Sequence, residues 1–131
     1  MIVVDSNVLA YLYLPGEFTA AAEQLLETDP DWHAPVLWRS EFRNILAGAL
    51  RRNTLTLEQA CAIVQEAESL LEGAEHEPTS TQVLALVHAS DCSAYDCEFI
   101  ALAQTLATRL VTMDGRLLKA FPSVATPLIA R

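Results

Sequence analysis

Short apolar runs alternate along the chain with longer segments in which apolar residues recur at helical spacing. Residues 2–4 form a β-branched run, Ile-Val-Val, that ends at Asp5. Val8, Leu9 and Leu12 follow at the three- and four-residue spacing of a helix. The first pattern predicts a short buried strand, and the second predicts a helix directly after it.

The same alternation continues to the middle of the chain. Residues 19–28 carry apolar positions at helical spacing and predict a second helix. Residues 32–34 are predicted to be extended. Pro35 is acceptable in a first helical turn, so we predict that it opens a long helix toward Arg52, which Asn53 ends.

Two capping motifs predict where the next helices begin. Thr56-x-x-Gln59 and Thr79-x-x-Gln82 have the form of a capping box, in which side chains satisfy the free backbone groups of a helix start. Helices are therefore predicted after each of the two threonines. Gly73 lies where a helix-terminating glycine belongs.

The last third of the chain predicts one more helix and two strands. Ser93 begins a similar motif, and the helix after it is predicted to reach about residue 107. Residues 109–112 are typical of a buried strand. Residues 124–129 form a weaker strand, which Pro127 restricts to a sheet edge because proline cannot donate to the ladder.

Short strands that alternate with helices are typical of the α/β class, in which helices cover both faces of a parallel sheet. No repeat or linker interrupts the pattern, and 131 residues suit one hydrophobic core. We therefore predict a single α/β domain over residues 1–131. Ligands bind such sheets at the carboxyl ends of the strands, so the residues just after Val4 and Thr112 are candidates for function.

The composition excludes several classes of protein. Apolar residues make up 52% of the chain and charged residues 19%, which is too hydrophobic for a disordered protein. The longest apolar stretch, residues 8–14, is too short to span a membrane, and the first residues lack the basic region of a secretory signal. We therefore expect a cytoplasmic protein without membrane association. Cys61, Cys92 and Cys97 form no CxxC pair and are predicted to be core thiols.

Four acidic residues occupy unusual positions. Asp5 directly follows the first predicted strand, and Asp114 follows the strand 109–112 after one residue. Glu41 and Asp96 lie on the apolar faces of predicted helices, where a charged side chain is costly unless it is paired or binds a metal. The apolar positions of these faces are Trp38, Phe42, Ile45, Leu46 and Ala49 in one helix and Phe99, Ile100, Leu102, Ala103 and Leu106 in the other.

A divalent cation is one partner that accounts for the four acids together. Carboxylate oxygens suit hard ions such as Mg²⁺ and Mn²⁺, whereas a zinc site needs Cys or His at ligand spacing. His33, His76 and His88 are scattered, and none lies three to five residues from another. The sequence therefore favours Mg²⁺ or Mn²⁺ over zinc.

Each acid taken alone also has a structural explanation. Asp5 can cap the helix that follows it, and Asp96 can complete a capping box with Ser93. Asp114 can cap a helix or lie in a turn. Glu41 has neither explanation, and an ion pair is the alternative for it.

Three polar residues lie beside the acids in sequence. Asn7 and Thr112 can orient the carboxylates or hold water on the ion, with helix capping as the alternative. Ser6 is predicted to cap a helix.

The residues around the four acids resemble the motifs of the PIN domain family. These are Asp5-Ser6-Asn7-Val8-Leu9, Ser40-Glu41-Phe42-Arg43-Asn44, Ser93-Ala94-Tyr95-Asp96 and Val111-Thr112-Met113-Asp114. In length and motif order the chain resembles, more narrowly, the bacterial VapC-like toxins of type II toxin-antitoxin pairs. The resemblance spans nearly the whole chain.

The resemblance implies a three-layer α/β/α domain with a central parallel sheet of about five short strands. It also implies an endoribonuclease that depends on Mg²⁺ or Mn²⁺, a cognate antitoxin and a homodimer. Matched position by position, the catalytic residues and metal ligands are Asp5, Glu41, Asp96 and Asp114, with Asn7 and Thr112 in supporting positions.

The net charge bears on RNA binding. Seventeen acidic and eight basic residues give a formal charge of −9, which opposes non-specific binding to a polyanion. Basic residues nevertheless lie beside the acids, because Arg39 and Arg43 flank one of them and Arg116 and Lys119 follow another. We predict that these four residues contact RNA phosphates, with a solvated helix face or antitoxin contacts as alternatives.

Two other functions are compatible with the acids. An Asp at the end of a first strand also begins haloacid-dehalogenase-like phosphatases, but Asn7 replaces the second Asp of that motif. The one lysine of the chain, Lys119, follows the last acid instead of preceding it. A non-catalytic interaction module with an acidic pocket is the second alternative, and loss of metal binding would favour it.

Overall fold

The computed structural model describes residues 1–129, which form five strands and seven helices. In chain order they are β1 (Ile2–Val4), α1 (Ser6–Tyr13), α2 (Thr19–Thr28), β2 (Trp32–Pro35), α3 (Trp38–Arg51), α4 (Leu57–Leu70), β3 (Glu75–His76), α5 (Ser80–His88), α6 (Ala94–Thr105), β4 (Leu110–Thr112), α7 (Gly115–Ala120) and β5 (Ala125–Pro127). All strand pairs are parallel, and the sheet order is β3-β2-β1-β4-β5. The predicted three-layer α/β/α fold is confirmed.

Strand β1 lies at the centre of the sheet, between β2 and β4. Val3 pairs with His33 on one side and with Leu110 on the other. All three residues of β1 are buried, as expected for a parallel strand covered on both faces. Helix α6 packs on β1 and β2 and against α5, whereas α1 packs against α2 and α3. Because β1 and β4 are parallel neighbours, their carboxyl ends lie at the same edge of the sheet.

The predicted start of the long helix is wrong by three residues. Pro35 is the last residue of β2, and α3 begins at Trp38. The Val36 N–H donates to the carbonyl of His76 at 2.9 Å, so pairing with β3 keeps the chain extended past the proline. Strand β3 has only two residues and no apolar run, which is why the sequence did not predict it.

The capping predictions are confirmed at Thr56 and in part at Thr79. Thr56 forms the complete capping box with Gln59. The hydroxyl of Thr79 accepts from the N–H of Gln82, but the Gln82 side chain donates to the carbonyl of Ala101 at 3.1 Å. A contact between α5 and α6 therefore replaces the second bond of the box.

The helix-end predictions are also confirmed. Asn53 and Gly73 adopt positive φ angles of 58° and 76° just after α3 and α4, a conformation that ends helices. Strand β5 lies at the edge of the sheet, as Pro127 predicted.

The prediction of three core thiols is wrong for one of them. Cys92 and Cys97 are buried, but Cys61 is exposed because α4 presents Ala60 and Ala67 to the core instead. The longest helices of residues 1–129 have 14 residues, and none is long and apolar enough to cross a membrane.

Candidate active site

The first two acids meet because their strands are neighbours. Asp5 follows β1 directly, and Asp114 follows β4 after one residue. Val4 pairs with Val111, and the N–H of Asp5 donates to the carbonyl of Val111 at 3.1 Å. The two carboxylates therefore lie at the carboxyl edge of the sheet, where ligands of α/β proteins bind.

Asp5 is a buried carboxylate that a hydroxyl group holds in place. The residue is 9% exposed, and its Oδ2 accepts a 2.6 Å hydrogen bond from Thr112 Oγ1. Thr112 Oγ1 in turn accepts from the N–H of Asp114 at 3.0 Å. Burial raises the pKa of Asp5, and the Thr112 bond opposes this rise. Thr112 thus fixes the position of Asp5 relative to Asp114.

Glu41 reaches the same place from the first turn of α3. Its Oε1 accepts a 2.8 Å hydrogen bond from Ser6 Oγ. Desolvation raises the pKa of Glu41, and the charges of Asp5 and Asp96 raise it further. The prediction that Ser6 caps a helix is wrong, because its hydroxyl binds Glu41. The sequence feature that could have indicated this contact is the position of Ser6 directly after Asp5 at the strand end.

Asp96 lies in the first turn of α6. The helix starts at Ser93, whose hydroxyl accepts from the N–H of Asp96 at 3.1 Å. Desolvation raises the pKa of the Asp96 carboxyl, and repulsion from Asp114 adds to the effect. Within residues 1–129 no bond from the Ser93 N–H to the Asp96 carboxylate completes a capping box, so only half of the predicted motif is present.

The capping explanation is correct for Asp114. Its Oδ1 accepts from the N–H groups of Arg116 and Leu117 at 2.9 and 3.4 Å. Asp5 stands at the N-cap of α1, but no side-chain capping bond is recorded there. The capping explanation therefore holds for Asp114 and not for Asp5.

One cavity of about 230 Å³ contains all four predicted carboxylates. It is lined by Asp5, Ser6, Asn7, Glu41, Asn44, Ile45, Asp96 and Asp114. Asn7 is in the predicted position, and the buried Thr112 supports the cavity from β4. Asn44 was not predicted, although it lies one helical turn after Glu41 and so shares its face.

The donors of the acidic cavity have the chemistry of a hard-ion site. Oxygen atoms from carboxylates and amides are the ligands that Mg²⁺ and Mn²⁺ prefer. No three Asp, Glu, His or Cys side chains within residues 1–129 lie close enough together to hold an ion directly. Mg²⁺ usually keeps several waters and contacts one or two carboxylates, so this spacing fits a partly hydrated ion.

The four predicted RNA-binding cations differ in their surroundings. Arg39 donates to both oxygens of Glu75 at 2.7 Å and lies 3.2 Å from Glu68 Oε1. These ion pairs make Arg39 the least available of the four for a phosphate. Arg43, Arg116 and Lys119 are exposed, and the last two follow Asp114 on α7.

Two histidines that are distant in sequence meet in the structure. Nδ1 of His33 and Nε2 of His76 are 2.9 Å apart, and Nε2 of His33 lies 2.9 Å from Asp31 Oδ1. These contacts join β2 to β3. No histidine lines the acidic cavity.

The fold and the site together define a class of protein: a parallel α/β domain with a carboxylate cluster at the carboxyl edge of its central strands. The PIN domain family model matches residues 2–122. The chain therefore belongs to the PIN domain family, and the resemblance seen in the four motifs is confirmed. This assignment decides against the haloacid-dehalogenase alternative.

Individual relatives agree with the family assignment. Ribonuclease VapC3 of Pyrobaculum aerophilum is 27% identical over 129 residues, which cover 96% of this chain and 98% of the relative. The crystal structure of FitAcB from Neisseria gonorrhoeae has a TM-score of 0.74 at 18% identity, with 98% of each chain covered. A toxin-antitoxin complex from Klebsiella pneumoniae has a TM-score of 0.69 at 17% identity, with 100% of each chain covered. The two structures share the fold of this chain.

Proposed function

We propose that the protein is a metal-dependent endoribonuclease and the toxin component of a type II toxin-antitoxin pair. The observation that carries this proposal is the clustering of four carboxylates in one small cavity of a PIN-family chain. The name of the relative Ribonuclease VapC3 supports an RNA substrate, and the Klebsiella pneumoniae complex supports an antitoxin partner.

The carboxylates would hold one or two Mg²⁺ or Mn²⁺ ions. Burial and mutual repulsion raise the pKa of Asp5, Glu41 and Asp96, as expected where like charges face each other without a counter-ion. When bound, a cation would supply that counter-charge, would make water in the cavity more acidic and would offset charge on the phosphate.

Neighbouring polar groups position the carboxylates for this reaction. The hydroxyls of Thr112 and Ser6 each donate to one carboxylate oxygen, at 2.6 and 2.8 Å, and leave the other oxygen of Asp5 and of Glu41 for the cavity. Asn7 and Asn44 line the cavity and can orient water or a phosphate oxygen there. Hydrogen bonds of this kind fix ligand orientation in metal sites.

RNA would contact the exposed cations near the cavity. Arg116 and Lys119 are the stronger candidates. Arg43 lines a separate cavity between α3 and α4 that also contains Glu68. Arg39 is the weakest because Glu75 and Glu68 already bind it. An antitoxin would bind and inhibit the enzyme, and two copies would form a homodimer. Light scattering of the purified chain tests the dimer, and co-purification with a co-expressed candidate antitoxin tests the complex.

Cleavage of total RNA tests the catalytic proposal. Antitoxin-free protein is incubated with RNA in Mn²⁺, Mg²⁺ or EDTA, and the fragment ends are sequenced. We expect defined fragments with a divalent ion and none in EDTA. Asp5→Asn and Asp96→Asn should each abolish cleavage while the protein stays folded.

Asp31→Asn is the matched control, because Asp31 precedes β2 at the opposite edge of the sheet. It should cleave like the wild type. A folded wild-type protein that cleaves nothing in either ion contradicts the proposal and favours the non-catalytic interaction module. Retained cleavage in both Asp5→Asn and Asp96→Asn would remove the assignment of these residues.

A further inference from the structure

A polar groove adjoins the acidic cavity at the Asp114 side. It has a volume of about 690 Å³ and lies between residues 89–92, which connect α5 to α6, and helix α7. Ser90 and Asp91 belong to one wall, and Arg116 and Lys119 to the other. Because α7 starts directly after Asp114, this α7 groove opens beside the carboxylates.

The two cations of the α7 groove form no close ion pair within residues 1–129, although the charge of Arg116 acts on Asp96 and opposes the desolvation that raises its pKa. Arg116 and Lys119 are exposed, and within residues 1–129 no ion pair or side-chain hydrogen bond involves either side chain. They stand three residues apart on one helix and so share a face. In a chain with 17 acidic residues and 8 basic ones, two adjacent exposed cations without a close ion pair beside the carboxylates indicate an external anion.

The other side of the acidic cavity carries the opposite charge. Helix α3, which holds Glu41, follows β2, and α7 follows β4, so the two helices lie on opposite sides of β1. Beyond Glu41 is a cavity of about 530 Å³ that Glu77 and Glu98 line. Burial and then the charge of Glu77 raise the pKa of Glu98. A phosphate chain is repelled there.

We propose that the α7 groove binds the RNA backbone on one side of the scissile phosphate, with Arg116 and Lys119 each contacting a phosphate. The separate cavity that Glu77 and Glu98 line leaves the other side of the cut without phosphate contacts. This inference rests on the proposed ribonuclease function and adds that substrate binding is one-sided. Recognition therefore depends on the nucleotides on one side of the cut.

The first test measures phosphate contacts through salt dependence. The probe is a single-stranded 12-nucleotide RNA with a cleavage site, mapped from total RNA, at its centre. Each phosphate contact contributes about −0.7 to the slope of log affinity against log salt. In kcat/KM, the double variant Arg116→Gln/Lys119→Gln should reduce the size of this slope by about 1.4.

A matched double variant controls for bulk charge. Arg51→Gln/Arg52→Gln removes the same two charges at the far end of α3, roughly 16 Å along the helix axis from Glu41. Its slope should equal that of the wild type. The same change in both double variants, or no change in either, would overturn the groove assignment.

The second test locates the contacts along the RNA. Methylphosphonates, which are uncharged, replace each phosphate of the same 12-nucleotide RNA in turn. We expect kcat/KM to fall only for linkages on one side of the cut, and the effect to vanish in Arg116→Gln/Lys119→Gln. Equal losses on both sides, or an undiminished effect in the variant, would refute one-sided binding. Either result leaves the cleavage itself established, so the two proposals fail separately.

Discussion

Neutralising one carboxylate of the acidic cavity should make the metal-free protein more stable while it destroys activity. The cavity of about 230 Å³ is about 8 Å across if taken as a sphere, and Coulomb's law at an effective dielectric of about 20 gives about 2 kcal/mol between like charges on opposite walls. Water in the cavity reduces this value, and so does the charge of Arg116, which opposes the desolvation that raises the pKa of Asp96. Asp96→Asn should therefore raise the free energy of unfolding by about 1 to 2 kcal/mol.

Thermal and denaturant unfolding in EDTA at low salt measures this gain. A gain of this size corresponds to a Tm increase of roughly 4 to 8 °C for a chain of this length. Asp96→Asn keeps the shape of the side chain and the backbone bond to Ser93 Oγ, so packing should not change. Asp91→Asn is the control, because Asp91 is exposed and does not line the acidic cavity. It should stay within about 0.5 kcal/mol of the wild type.

Added Mn²⁺ should reverse the order of stability. An ion that binds only the folded state stabilises it by about 2.7 kcal/mol at one hundred times its Kd. The wild type should gain this stabilisation, and Asp96→Asn should gain much less of it. An Asp96→Asn protein that is no more stable than the wild type in EDTA would refute the repulsion argument.

Three further predictions follow from the same contacts. The metal-free wild type should lose stability as pH rises above the ordinary carboxyl values of 3.8 to 4.5, because the folded-state pKa of Asp5 and Glu41 is raised and folding opposes ionisation. Denaturation in EDTA at pH 5 and pH 7 measures this, and an equal or greater stability at pH 7 contradicts it. Thr112→Val should lower kcat and shift the acid limb of the pH–rate profile to higher pH, because the Thr112 hydrogen bond keeps the pKa of Asp5 lower and its loss raises that pKa. Thr112→Ser should restore both kcat and the profile. An unshifted profile in Thr112→Val would contradict the positioning role of Thr112. Arg39→Gln should cost about 1 kcal/mol of stability through its partly exposed pair with Glu75, without changing the salt slope of cleavage. A reduced salt slope in Arg39→Gln would instead indicate that Arg39 contacts RNA.

Local sequence signals predicted much of the fold. The capping box at Thr56, the helix ends at Asn53 and Gly73 and the edge position of Pro127 each follow from chemistry within a few residues. Pro35 was predicted wrongly because its extended conformation depends on pairing with β3, which is about 40 residues away in the sequence. Secondary-structure propensity is a local property and does not predict such a long-range contact.

The candidate site was predicted from charges in unfavourable positions. Glu41 and Asp96 attracted attention because they interrupt apolar helix faces, and Asp5 and Asp114 because they end strands. Ser6 was assigned to capping and Asn44 was missed, because polar side chains near a helix start are compatible with several partners. Only the packing of α3 against α1 brings Glu41 within reach of the Ser6 hydroxyl.

The sequence by itself determined the α/β class, the strand ends and the four acids, because hydrophobic periodicity and misplaced charge are local properties. The tertiary structure decided which charges face each other. It paired Arg39 with Glu75, placed Arg116 and Lys119 along one groove just after Asp114, and set Thr112 against Asp5. These relations depend on which strands are neighbours in the sheet, and strand order follows from the packing of the whole domain.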